Sequence, residues 1–274
     1  MSRGLFYVVA VVAVIATVAG VLVLQHRGGS GSDSAAGPSD PVLEAKVQRL
    51  AFYDWERNVI GPAGRPAPDD ARVTGGPAAG KAGALELYDA VLRAARRPAV
   101  VESDNGRDGS VFYAVDRSRR RVFGTGAARR AAALAAAPAD RRAAATVYEV
   151  KPDTAIVRAE GSPAHWYVIK DDVAISGTQI RNPRQGIDQA RGRPVTLFSF
   201  SEAGRALFKA LTQAIAGRGS ASSLNQASED PALHNQHFAV VYEGRIVTIP
   251  FVDFQTSPDG LDPAAGMQLS EQLP

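Results

Sequence analysis

The chain has 274 residues and no cysteine, which excludes disulfide bonds, thiolate catalysis and cysteine-based metal sites. The net charge of +3 is mild, although an isoelectric point of about 9.3 and many arginines suggest a surface compatible with anionic lipid or wall polymer. A GC-rich codon habit explains the same arginine usage more simply. No nucleic-acid-binding module is recognisable, so we expect no nucleic acid partner.

An uncharged apolar run lies close to the amino terminus. Residues 5–24 carry no charge, and at 1.5 Å per residue they are long enough to cross about 30 Å of hydrocarbon as a helix. A cleaved signal peptide is the alternative, but its apolar core is normally about 7–15 residues long with a cleavage site close behind. Here the best small-residue site, at residues 34–36, lies well beyond the apolar run.

We therefore expect residues 5–25 to form a single retained transmembrane helix, with residues 1–4 as a cytoplasmic tail. Residues 26–41 are rich in glycine, serine and proline, a composition that cannot bury a core, and they predict a flexible linker. Charges flank both ends of the apolar run and do not decide its orientation. The large polar remainder favours a carboxyl-terminal domain outside the membrane.

The first part of that domain, residues 42–160, alternates loops with short regular elements. Residues 50–60 form a dense aromatic cluster that predicts a buried strand, and residues 61–83 predict a long loop. A helix is expected over residues 84–97, followed by a hairpin that joins residues 111–115 to 121–124. The alanine-rich residues 127–137 predict another helix on intrinsic propensity alone.

Strands dominate the second half. They are expected at residues 146–150, 154–158, 165–170 and 194–200. Ser201 is a candidate N-cap for a helix with an apolar face, which Gly217 and Gly219 should end. Residues 237–253 form two apolar runs around a Glu243–Gly244 corner, and the glycine supplies the positive φ that a two-residue hairpin turn requires.

Four strings in this order resemble the extracytoplasmic part of the SecD family of protein-export subunits. They read FYDWERNVIG from residue 52, YVIKDDVAISGTQI from residue 167, PVTLFSF from residue 194, and FAVVYEGRIVTIPFVD from residue 238 with a PDG loop behind it. The resemblance implies an α+β fold with an antiparallel sheet and packed helices, in which a SecD head-like subdomain at residues 161–274 sits on a partial ferredoxin-like base.

The resemblance also implies a location and partners. SecD proteins assist the Sec translocon at the bacterial plasma membrane, and their head is thought to contact the emerging unfolded polypeptide. Sec components and exported polypeptide are thus the expected partners, and an exposed apolar surface around Trp166, Tyr167, Phe251 and Phe254 is the expected contact. The later membrane helices, which carry the family's proton relay, are not found before Pro274, so we do not expect a proton-driven motor.

No pattern in the chain indicates catalysis. The carboxylates at residues 171, 172, 253, 259 and 262 lack calcium-loop spacing, and His234 and His237 lack the companions of a zinc site. No serine lies in a nucleophile elbow. We expect no enzymatic activity, no cofactor and no metal. Two alternatives stay open: an envelope module that binds a wall polymer or another membrane protein, and a hydrolase if serine, histidine and aspartate converge in a pocket.

Overall fold

The computed structural model describes residues 22–24, 41–61, 83–97, 109–159, 164–188, 192–225 and 230–269. Most of the predicted transmembrane helix at residues 5–25, the linker at 26–41 and most of the loop at 61–83 lie outside these residues. Leu22–Leu24, expected as the end of the helix, instead form strand β1, since leucine and valine suit a sheet as well as a helix. Within the described residues, no helix has the length and apolar content needed to cross a bilayer.

A mixed sheet of seven strands forms the centre of the described fold. Its spatial order is β7-β6-β12-β11-β2-β8, and β13 pairs with the start of β11. All strand pairs of this sheet are antiparallel, except that β12 and β6 run parallel. The strands are β2 (Leu50–Asp54), β6 (Thr154–Ala159), β7 (His165–Lys170), β8 (Ile175–Ser176), β11 (Gln236–Tyr242), β12 (Arg245–Thr248) and β13 (Phe251–Val252).

The β11–β12 hairpin has the turn that the sequence predicts. Glu243 and Gly244 both have positive φ, at 47° and 77°, the geometry of a type I′ turn whose twist matches that of the flanking strands. Val241 pairs with Ile246 across the hairpin. The predicted hairpin is confirmed.

Strand β2 lies between β11 and β8, although it comes far earlier in the chain. Phe52 and Tyr53 point to opposite sides of the sheet and join different apolar clusters. The predicted strand over residues 50–60 is only half right, because β2 ends at Asp54. The Asp54 carboxylate accepts a hydrogen bond from the Arg57 backbone and caps the one-turn helix α2 (Trp55–Asn58).

A second, antiparallel sheet has the order β1-β14-β10-β9. It contains β9 (Ile180–Asp188), β10 (Arg193–Phe200) and β14 (Met267–Leu269). Strand β10 was predicted, whereas β9 was not, because it is polar and contains Pro183. A proline is tolerated there since β9 is an edge strand. The register shifts beside Asn182, which has a φ of 52°.

Helix α5 (Glu202–Asn225) packs against both sheets. Phe208 meets Phe200, Phe52 and Phe238 at ring-centroid distances between 5.4 and 6.5 Å. The short helix α1 (Pro41–Val47) adds Leu43 to the same core. The predicted helix end at Gly217 and Gly219 is wrong, because α5 continues for six residues beyond Gly219.

A three-stranded sheet of order β4-β3-β5 packs beside β6 and β7. It consists of β3 (Val111–Asp116), β4 (Arg121–Ala127) and β5 (Thr146–Val150), with helices α3 (Leu87–Ala95) and α4 (Arg130–Ala135). Tyr88 and Val91 of α3 pack on Tyr113 and Val115 of β3. The predicted hairpin is confirmed, and both predicted helices are present but shorter than predicted.

The described residues are thus α+β, with mixed sheets and few helices. The boundary predicted between residues 160 and 161 falls between β6 and β7, which pair over six residues from Thr154–Lys170 to Ala159–His165. The two parts of the chain therefore share one sheet at this boundary. Residues 50–54, from the amino-terminal part, also lie inside that sheet.

Candidate functional site

Tyr167 does not belong to an exposed surface. It is only 2% exposed and packs edge-on against Trp55, with ring centroids 5.2 Å apart. Its burial raises the pKa of the phenol to about 12. The prediction that Tyr167 contributes to an exposed apolar surface is wrong, because alternation along β7 directs this side chain into the core.

Trp166, the preceding residue on β7, points to the opposite side. Its ring lies 5.8 Å from the guanidinium carbon of Arg158, and it packs in the cluster around α3. The Trp166 backbone exchanges two hydrogen bonds of 2.9 Å with Leu85. Trp166 is thus half-buried between β7 and the segment that leads into α3.

Phe251 lies on β13, which pairs with β11, and Phe254 lies against α5. Phe251 is 45% exposed, and its strand β13 pairs with His237 on β11. Phe254 is partly buried in the core, where its ring lies against Gly219 of α5. Phe251 is therefore the exposed aromatic residue of the four that were predicted, while Phe254 contributes to the core.

A buried pair lies directly beneath Phe251. The Glu56 carboxylate is 2.6 Å from His237 Nδ1, and its other oxygen accepts a hydrogen bond of 2.9 Å from the His237 backbone N–H. Both side chains are 2% exposed or less. The His237 ring also meets Phe251 edge-on, at 6.5 Å between centroids. Through this pair α2 is tied to β11, the strand with which β13 and its Phe251 are paired.

A second ionic contact extends the network to α5. The Arg218 guanidinium donates to both oxygens of Asp54, at 2.7 and 2.8 Å, and to Gln236 at 2.8 Å. Burial raises the pKa of the Asp54 carboxyl, and the neighbouring Arg218 only partly opposes this shift. We call Asp54, Glu56, Arg218, Gln236 and His237 the charge cluster.

The charge cluster was not predicted from the sequence, although two signals point to it. Asp54 and Glu56 flank Trp55 inside an apolar string, and Arg218 stands between two glycines in an otherwise apolar part of α5. Charged residues in such surroundings are seldom buried without partners. What no local pattern indicates is that residues so far apart in the chain pair with one another.

A groove of about 220 Å³ lies elsewhere, on the sheet of β9, β10 and β14. It is lined by Asn182, Arg184, Leu197, Ser199 and Gln268, among others. The bulge at Asn182 forms one side of it. Neither the charge cluster nor the two phenylalanines contribute to this groove.

The charge cluster and the two phenylalanines include no hydroxyl or thiol side chain. What they offer is a rigid support for one exposed aromatic ring: Phe251 is held by β11 from the side and by a buried ionic network from below. Such a surface suits binding rather than bond-breaking. It makes apolar contact without recognising a particular side chain.

Comparison with protein families identifies the region around this surface. Residues 149–260 match the family model described as SecDF, P1 head subdomain. The match includes β6, β7 and α5, the β11–β12 hairpin, and both Phe251 and Phe254. It excludes β2 and α2, and with them Asp54 and Glu56. Searches of curated proteins and of solved structures found no match.

Proposed function

We propose that this chain, in which residues 149–260 form a SecD/SecDF head-like region, assists Sec-dependent protein export by contacting unfolded polypeptide outside the membrane. The family match is the observation that carries the proposal. A role in export is consistent with a binding surface and requires no enzymatic activity. In this proposal residues 5–25 anchor the chain as a single-pass protein of the bacterial plasma membrane.

Phe251 is the contact residue that the geometry favours. Its ring is partly exposed while its strand pairs with β11, so that it presents apolar surface at a defined position. An exported polypeptide passes in an unfolded state, with its apolar side chains accessible. Contact with a rigid aromatic ring costs little conformational entropy on the side of the head. Phe254 supports this position from the core, and Trp166 belongs to a separate part of the surface.

Site-specific photocrosslinking tests the proposal. A photoreactive amino acid is placed at Phe251 of the full chain in cells that hold an arrested secretory precursor. The matched control carries the same group at Ile187, which is 70% exposed on the other sheet. We expect crosslinks to the precursor and to Sec components from position 251, at several times the yield from position 187. Equal yields, or none in a well-expressed chain, would contradict the proposal.

A deletion strain separates this role from its main alternative. Loss of the chain should slow the release of secreted proteins if it works beside the translocon. Normal secretion together with a weakened cell envelope would instead assign it to the class of envelope-binding modules.

A further inference from the structure

Among the described residues, the positive charge is concentrated in one part of the fold. Residues 83–97 and 109–159, which form α3, α4, the three-stranded sheet and strand β6 of the central sheet, contain thirteen arginines and lysines against six carboxylates, a net charge of +7. All other described residues together contain eleven arginines and lysines against twelve carboxylates, a net charge of −1. We call the first set the basic unit. Most of it precedes residue 149 and lies outside the SecDF head match.

The turn between β3 and β4 presents this charge to solvent. Asp116 accepts hydrogen bonds from the Ser118 backbone and hydroxyl and from the Arg119 backbone, at 2.6 to 3.2 Å. These bonds shape the turn, and they engage the carboxylate that lies nearest in the chain to the exposed arginines. The single acidic residue of the turn is thus directed inward, and the basic side chains project from a fixed backbone.

One arginine of the turn is ion-paired and three are not, although the guanidinium carbon of Arg121 lies 5.6 Å from the centroid of the Phe123 ring. Arg120 donates to both oxygens of Asp89, at 2.7 and 2.9 Å, and lies over the Tyr88 ring. Arg117, Arg119 and Arg121 are exposed, and within the described ranges no carboxylate lies within 4.0 Å of their side-chain nitrogens. We call these three the basic turn.

The surroundings of the basic turn favour a broad charged surface as its partner. The large exposed hydrophobic residues of the described fold, namely Val42, Ile187, Leu207, Leu224 and Phe251, all lie outside the basic unit. The basic unit therefore has no large exposed apolar side chain that could insert into a membrane. The groove of the second sheet is also remote from this turn in the fold. A convex turn with unpaired guanidinium groups matches the diffuse negative potential of a membrane surface better than a small ligand, which needs a concave site.

We propose that the basic turn docks the basic unit onto an anionic phospholipid bilayer. The attraction is electrostatic, and each arginine near the surface should strengthen the docking constant by about fivefold. This inference does not depend on the proposed role in export. It holds for a chain that is anchored in the same bilayer and for one that approaches it from solution.

Energy transfer from the protein to the lipid tests the docking. Because the chain has no cysteine, Ala139→Cys provides a single dye position, on an exposed residue of the segment that leads back into β5. The full chain is reconstituted with vesicles that carry an acceptor on the headgroup, either of pure phosphatidylcholine or with about a third phosphatidylglycerol. We expect strong transfer only with the anionic lipid, and its loss in 1 M salt, where the screening length falls to about 3 Å.

Two triple variants separate local charge from net charge. Arg117→Glu, Arg119→Glu and Arg121→Glu together should weaken docking by roughly 100-fold or more. In the matched control, Arg181, Arg184 and Arg193, three exposed arginines of the second sheet, are replaced by glutamate. This variant should dock nearly as the wild type does. Replacing the three arginines of the basic turn by lysines should preserve docking, because the negative potential of the membrane surface is diffuse and does not require the shape of a guanidinium group.

Three outcomes would overturn the inference: equal losses in both triple variants, undiminished transfer with pure phosphatidylcholine, or unchanged docking after reversal of the basic turn. Binding of labelled poly-glutamate is measured in parallel. If reversal of the basic turn abolished that binding and left vesicle docking intact, the turn would be a site for acidic polypeptide and the lipid inference would be wrong. Circular dichroism verifies that each variant is folded, and a triple glutamine variant replaces the glutamate variant if the latter unfolds.

Discussion

Glu56 and His237 show how strongly single side chains determine the position of the exposed aromatic surface. The Glu56 carboxylate contacts both the ring and the backbone N–H of His237, and water reaches neither side chain to any extent. A buried donor that loses its acceptor bears the full cost of desolvation. The pair therefore contributes more to holding β11 against α2 than its two hydrogen bonds alone suggest.

Replacing Glu56 by alanine should lower the free energy of unfolding by about 3 kcal/mol, since it leaves the buried His237 N–H groups without an acceptor. Urea titration monitored by circular dichroism measures the change. The matched control is Glu243→Ala, which removes an exposed carboxylate 2.6 Å from Arg49. Solvent screens that pair, and the control should remain close to the wild type. Similar losses in both variants would refute a special role for the buried pair.

Asp54 makes stability depend on pH in an uncommon direction. Because burial raises its pKa in the folded state, the folded protein holds this proton more tightly than the unfolded chain does. Its contribution to stability is therefore greatest at low pH, and it declines as pH rises from about 3.9, the usual value for aspartate, through the raised pKa.

The free energy of unfolding of the wild type minus that of Asp54→Asn should accordingly fall as pH rises across this window. Urea titrations at constant ionic strength measure the difference at each pH. A difference that grew with pH would mean that the ion pair with Arg218 outweighs burial, and the assigned direction would be wrong.

Helix α5 shows why the ends of elements are harder to predict than their presence. Gly217 and Gly219 are helix-terminating residues in isolation, yet α5 passes through both. A β-carbon on Gly219 would lie 2.9 Å from both the His234 carbonyl oxygen and the Phe254 ring. This glycine is required by a close approach between elements, which no local pattern reveals. The Glu243–Gly244 turn, by contrast, depends on its own backbone angles alone and was predictable.

The two glycines provide a matched test. Gly217→Ala meets nothing within 4 Å and should raise the free energy of unfolding by up to about 1 kcal/mol through helix propensity. Gly219→Ala should lower it, because the added methyl group meets the backbone carbonyl of His234 as well as the Phe254 ring. Thermal unfolding of the two variants measures both shifts. Stabilisation by both changes would show that α5 and the segment after it are not in close contact.

The whole molecule is less divisible than the sequence suggests. Local patterns predicted most strands of the central sheet, but they could not predict that β2 lies between β11 and β8. That placement follows from the fit of Phe52 beside Phe200 and Phe208, a property of distant partners. The edge strand β9 was missed for a related reason, because its polar residues and Pro183 resemble a loop.

A fragment that begins at residue 149 should therefore fail to fold cooperatively, although it contains the whole family match, because it lacks β2 and Glu56 of the shared sheet. A fragment that begins at residue 41 is the control, and it retains the residues of the four apolar clusters. Urea titration and backbone amide dispersion in NMR spectra distinguish the two. A folded fragment from residue 149 would show that β2 is dispensable.

The position of β2 also sets a time at which the protein can assemble. Leu50 pairs with Tyr242, and 191 residues lie between these two positions in the chain. Contacts between such distant residues form slowly, because a long loop must close before any of them is gained. Until β11 has been synthesised, the aromatic string from Leu50 to Trp55 can pair only with the two residues of β8. The central sheet can therefore close only after synthesis has passed Tyr242, and until then β2 lacks its longer partner.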